Sequence, residues 1–128
     1  MFAVKLDQTQ NGLTIFYGGN VSPDQIRLCA AEVRSALGIL QSDFRLVVDL
    51  TELRSMDVSC SPLIASIMEM CNAARVAEVV RIIPDPTRDI GLQILSFFHY
   101  GTDVYIRTCG STAEAMEVLA QTPTCAEL

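Results

Sequence analysis

Polar and apolar residues alternate from the start of the chain. Phe2, Val4 and Leu6 stand against Ala3, Lys5 and Asp7, the period of two that marks a half-buried strand. Asn11-Gly12 is a favoured tight-turn pair, and Leu13, Ile15 and Tyr17 then resume the alternation. The spacing predicts a hairpin of residues 3–8 with 13–18, with Gly18-Gly19 as a turn at the strand end. Ser22-Pro23-Asp24-Gln25 opens a helix. Ser22 can cap it, Pro23 suits its first turn, and Gln25 completes a capping box. Ile26, Cys29, Ala30, Val33, Leu37 and Leu40 follow on one apolar stripe.

Residues 44–50 read as a strand apolar on both faces at its middle, as in a buried parallel strand. A loop is expected over residues 51–61. Pro62 suits a first helical position, which makes Ser61 the expected cap. The helix carries Leu63, Ile64, Ile67, Met68, Cys71 and Ala74 on its inner side. Residues 79–83 predict a third buried-type strand, stopped by Pro84-Asp85-Pro86. A helix is expected over about 87–99, with Ile90, Ile94, Leu95, Phe97 and Phe98 apolar and His99 at its end, where a cation suits the dipole. Val104-Tyr105-Ile106 is a last short strand, and Ser111-Thr112-Ala113-Glu114 is a capping box opening a helix through Ala120. The order is β-β-α-β-α-β-α-β-α. It predicts an α/β fold with a mixed sheet of about five strands covered by four helices. Residues 1–120 read as a single domain, and 121–128 as a C-terminal tail.

Composition narrows the function. The 128 residues are half hydrophobic and 19% charged, which suits a packed core and argues against disorder. The apolar stretches are far shorter than the roughly 20 residues of a membrane helix. Residues 1–6 lack the apolar run of a signal peptide. A cytoplasmic protein without membrane insertion is therefore expected. A net charge of −6 without a basic cluster excludes nucleic acid as a natural partner and disfavours anionic membrane surfaces. The five cysteines, Cys29, Cys60, Cys71, Cys109 and Cys125, are odd in number and never two apart by a C-x2-C spacing. They suggest neither a disulfide framework nor a zinc site. Cys29 and Cys71 fall on apolar helix faces and read as core residues. His99 is the only histidine, so no metal site is expected. No G-x-S-x-G, phosphate loop or H-E-x-x-H is present. The reading is a protein-binding domain, not an enzyme, with no cofactor. An unshielded edge strand, or the helix with Phe97-Phe98, could support a homodimer.

One segment stands apart: Val47-Val48-Asp49-Leu50 leading to Met56-Asp57-Val58-Ser59-Cys60-Ser61-Pro62. A buried strand runs into a loop that delivers Asp57 and Ser59 to a helix start. This stretch resembles the STAS domain (sulfate transporter and anti-sigma factor antagonist), whose pattern is an apolar strand ending in Asp-Leu, an apolar-Asp-Ser-Ser-Gly loop, and a helix. Val58 stands where the first Ser is common and Cys60 where Gly is common. The opening hairpin, the helix after Ser22, the strand-then-proline segment at Val80 to Pro86 and the Ser111–Ala120 helix match in order. The resemblance covers nearly the whole chain.

The resemblance implies a stand-alone, anti-sigma factor antagonist-like protein of a partner-switching pathway. Its partner is an anti-sigma factor that is also a serine kinase, and phosphorylation releases the pair. Carried over by position, the acceptor is Ser59, with Ser61 as runner-up, and the docking loop is Asp57, Val58, Ser59, Cys60 and Ser61. A phosphate adds about −1.5 to −2 charge to an already acidic rim, so a partner can be released without refolding. The structural alternatives are a loop or cap role for Ser59 and a backbone-bonding turn role for Asp57. Cys60 for Gly is expected to restrict the backbone and add bulk beside Ser59. Two other functions remain open: a non-phosphorylated adaptor subunit of a membrane transport complex, such as a lipid-trafficking one, and a small-ligand or nucleotide sensor.

Overall fold

The computed structural model describes residues 1–84, 100 and 104–120. Its elements are β1 (Phe2–Asp7), β2 (Gly12–Val21), α1 (Pro23–Leu37), β3 (Phe44–Met56), a 3-10 turn (Val58–Cys60), α2 (Ser61–Ala73), β4 (Val76–Ile82), β5 (Tyr105–Cys109) and α3 (Thr112–Ala120). The five strands form one sheet in the order β1-β2-β3-β4-β5. β1 pairs antiparallel with β2, and every later pairing is parallel. The expected mixed sheet is therefore present. The described residues contain three α-helices. The helix expected over 87–99, with Phe97, Phe98 and His99, lies outside the described residues, as do Cys125 and the tail.

Parallel neighbours need crossovers, and helices supply them. α1 joins β2 to β3 and α2 joins β3 to β4, side by side on one face. They bury a core in which Ile26, Cys29, Val33 and Cys71 meet Leu13, Phe44, Leu46 and Val79. Cys29 and Cys71 sit inside, as their stripe positions imply. Burial lifts the Cys29 thiol to about 11, against the hydrogen bond with Tyr17. It lifts the Cys71 thiol to about 12.

α3 covers the opposite face, where Ala115 packs with Val80, Ile82 and Cys109. Beneath it lies Glu78, only 2% exposed. Its two carboxylate oxygens meet Arg45 Nε at 3.0 Å and Arg107 Nε at 3.1 Å. Arg45 also donates to the Leu119 carbonyl at 2.7 Å, as a cation at a helix C-terminus should. One anion thus ties β3, β4 and β5 together, and one of its partners holds the end of α3.

Several boundaries differ from the sequence reading. β3 does not stop at residue 50 but runs to Met56, so the loop expected over 51–61 shrinks to the 3-10 turn. Its outer half pairs with β2, which also runs past its expected end, to Val21, through register shifts at Phe16/Gly18 and Gly19/Asn20. These bulges break the period of two, so Leu50, Leu53 and Met56 are buried at a spacing of three. Gly18-Gly19 is part of this bulged strand, not a turn after it. Gly19 takes φ +66, which glycine tolerates, and a Cβ on Gly18 would meet the Phe16 ring at 2.8 Å. β5 reaches Cys109, beyond the three residues expected.

The caps also differ in detail. The Ser22 hydroxyl accepts from the Gln25 amide at 3.4 Å, but Gln25 Oε1 is buried without a partner among the described residues, so the box is half made. At α3 Ser111 accepts from the Glu114 amide at 3.1 Å, and Glu114 reaches back to the Gly110 amide at 2.9 Å. Ser61 is not the cap of α2. It already has helical φ and ψ, and Cys60 holds the cap position without a side-chain bond. The 3-10 turn runs directly into α2, so the capping role moves upstream to Asp57.

Candidate functional site

The outer ends of β2 and β3 carry the chain past the sheet, at the edge where the parallel strands point and α1 and α2 begin. Val21 pairs with Met56 as the last register pair, and the Asp57 amide donates to the Val21 carbonyl at 3.4 Å. From there the chain turns into the 3-10 segment, and Asp57 caps it. Asp57 Oδ1 accepts from the Ser59 amide at 2.9 Å and from the Ser59 hydroxyl at 2.7 Å. The Cys60 amide donates to the Asp57 carbonyl at 2.9 Å. Asp57, Val58 and Ser59 are all exposed, Val58 by 78%.

Of the five candidate residues, three form an open rim. Cys60 is buried completely, its thiol 3.8 Å from the Val21 carbonyl, and Ser61 is half-buried at the start of α2. The burial of Cys60 settles one expectation. Its backbone has φ −72, an ordinary helical value that needs no glycine. Its side chain points into the protein, and so it neither strains the loop nor crowds Ser59. Burial raises its thiol above the ordinary value, so Cys60 behaves as a small apolar anchor.

The electrostatics follow from the hydrogen bonds. The Ser59 amide, and after it the Ser59 hydroxyl, holds the Asp57 carboxyl below its ordinary value. Asp57 is therefore an anion at neutral pH and an acceptor for the serine proton. The Ser59 oxygen is exposed and oriented, and it caps no helix.

A hollow of about 320 Å³ adjoins the rim, lined by Asn20, Val21, Ser22, Pro23, Ser55, Met56 and Asp57. Ser55 donates to Asn20 within this lining at 2.7 Å. Sequence reasoning did not single out Asn20 or Ser55, because both lie on strand ends hidden by the bulges. Among the described residues no group of three or more potential metal ligands occurs, and no helix is long and apolar enough to cross a membrane.

No family model matches the chain, and no curated protein matches it. Solved structures do. The anti-sigma factor antagonist SpoIIAA in its unphosphorylated form aligns with a TM-score of 0.65 at 17% identity, over 95% of this chain and all of that one. The Bacillus cell fate determinant SpoIIAA in its phosphorylated form gives 0.61 at 18% identity, over 93% of this chain and 99% of that one. An uncharacterised Shewanella loihica protein with a SpoIIAA-like fold gives 0.70 at 16% identity, over 92% of this chain and 93% of that one. The chain thus has the SpoIIAA-like, or STAS-like, fold.

Proposed function

We propose that this chain is a protein-binding regulatory module of the anti-sigma factor antagonist kind, switched by phosphorylation of Ser59. The observation that carries the reading is the Ser59 hydroxyl, exposed on a rim and held at 2.7 Å by an ionised Asp57. A serine kept only for capping would have its oxygen on a helix amide. Here Asp57 does the capping and leaves the serine oxygen outward.

The rim suits docking in its free form. Val58 offers apolar surface at its centre, and the backbone around it is fixed by the Asp57 bonds. Phosphorylation removes the serine proton that Asp57 accepts and adds about −1.5 to −2 charge at the same spot. An acidic partner surface that had packed on Val58 then faces two adjacent anions, and like charges across an interface cost several kcal/mol. The fold is shared with SpoIIAA, of which a phosphorylated form and an unphosphorylated form have both been solved.

The partner by this reading is a serine kinase of the anti-sigma factor type. Incubation with that kinase and ATP, followed by peptide mapping, is expected to place one phosphate on Ser59 and none in Ser59→Ala. A phosphate on Ser61 instead, or on neither residue, would remove the proposal. Capture of a transporter subunit that binds wild type and Ser59→Asp equally would replace it with the adaptor role.

A further inference from the structure

We propose that Arg27 is the internal partner of a phosphate on Ser59: held by Asp24 in the unmodified protein, it turns to the phosphoryl oxygens once they are present. This rests on the phosphoserine reading above and names the residue that orders the modified loop.

The geometry begins with α1. One flank of this helix faces β1, since Glu32 and Ala36 line a groove with Val4 and Leu6. At 100° per residue, Arg27 lies about 180° from Ala36 and about 40° from Pro23. Pro23 lines the same hollow as Asp57, and α1 touches the 3-10 turn. Arg27 therefore rises from the flank that faces Ser59. In agreement, burial raises the Cys60 thiol while the Arg27 cation works against that rise.

Arg27 is available to move. It bonds Asp24 at 2.6 Å, but the two side chains are 61% and 90% exposed, and such pairs hold weakly. In the modification itself a kinase transfers the γ-phosphoryl group of ATP. The bond from that phosphorus to its bridging oxygen breaks, leaving ADP, a bond to Ser59 Oγ forms, and the hydroxyl proton passes to solvent. The esterified Oγ has no proton to give, so its bond to Asp57 is lost and the carboxylate repels the phosphate. Displacement toward the α1 flank brings the phosphate to Arg27. A guanidinium prefers a doubly charged anion with three acceptor oxygens to a single carboxylate.

The test installs phosphoserine at position 59 by genetic encoding and follows its second ionisation by phosphorus NMR. Asp57 and Arg27 are the charged groups acting on the neighbouring Cys60; Asp57 raises the phosphate's second ionisation and Arg27 lowers it, with Asp24 paired to Arg27. Arg27→Ala is expected to raise the midpoint by roughly half a pH unit or more. Arg34→Ala, on the same flank but about 10 Å further along the helix, is expected to leave it in place. Equal midpoints with and without Arg27, or an equal response to Arg34→Ala, would overturn the proposal. Because no kinase is used, this failure stays distinct from a failure of the kinase to modify Ser59.

Discussion

Glu78→Gln isolates the ionic tie beneath α3. The replacement keeps the side chain's size and removes the charge, leaving Arg45 and Arg107 facing an amide where a carboxylate had met them at 3.0 and 3.1 Å. Breaking a fully buried pair costs about 3–5 kcal/mol, mostly from the charge left behind. Here the arginine side chains keep 18% and 26% of their exposure, so water relieves part of that cost and about 2–3 kcal/mol is expected. For a domain of this size that lowers Tm by about 10 °C, a large share of a total stability of roughly 5–15 kcal/mol. Urea denaturation followed by circular dichroism gives the energy. Amide exchange gives the location, with α3 and β5 losing protection before α1 and α2. Replacing all three charged residues by apolar ones of similar volume is expected to cost less than Glu78→Gln alone, since it strands no charge. A Glu78→Gln protein within about 0.5 kcal/mol of wild type, or one that loses protection uniformly, would show that Glu78 does not tie α3 to the sheet.

Other consequences can be checked without a partner. The Asp57 carboxyl is expected to titrate below the ordinary carboxylate value by carbon NMR, and Ser59→Ala, which keeps the amide bond, to bring it only part of the way back. Because its folded value is depressed, Asp57 contributes stability above the unfolded value, and that contribution fades as pH falls through the folded one; an unchanged acid limb in Asp57→Asn would contradict this. Cys29, Cys60, Cys71 and Cys109 are all buried, so none should react with an alkylating reagent at pH 8 until urea unfolds the chain, as peptide mapping would show. Gly19→Ala places a side chain at φ +66 with open space around it, and the backbone alone is expected to cost about 1–2 kcal/mol.

The mixed sheet, the succession of its elements along the chain and the first two helices were legible because their residues keep a regular period. Phe2, Val4 and Leu6 alternate, and Ile26, Cys29 and Val33 recur at helical spacing. Legibility ended where geometry departs from a single period. Paired bulges let Leu53 and Met56 be buried in a strand that reads as a loop. The capping of the turn by Asp57 depends on a 3-10 segment merging into α2, and Pro62 alone pointed to Ser61 instead. Glu78 looks like a stray acid in an apolar strand, because its arginines come from the two neighbouring strands. Asp57 and Ser59 have no periodic signature at all. They were found through the resemblance of the segment around them, and only coordinates could tell that Cys60 turns inward and leaves Ser59 free.

We propose above that one covalent charge on Ser59 decides what docks on the rim of Asp57, Val58 and Ser59. The direct measurement is calorimetric titration of the kinase partner with the unmodified protein and with the protein carrying encoded phosphoserine at position 59. The modified form is expected to bind at least about tenfold more weakly, with the same fold by circular dichroism. Equal affinity of the two forms would contradict it.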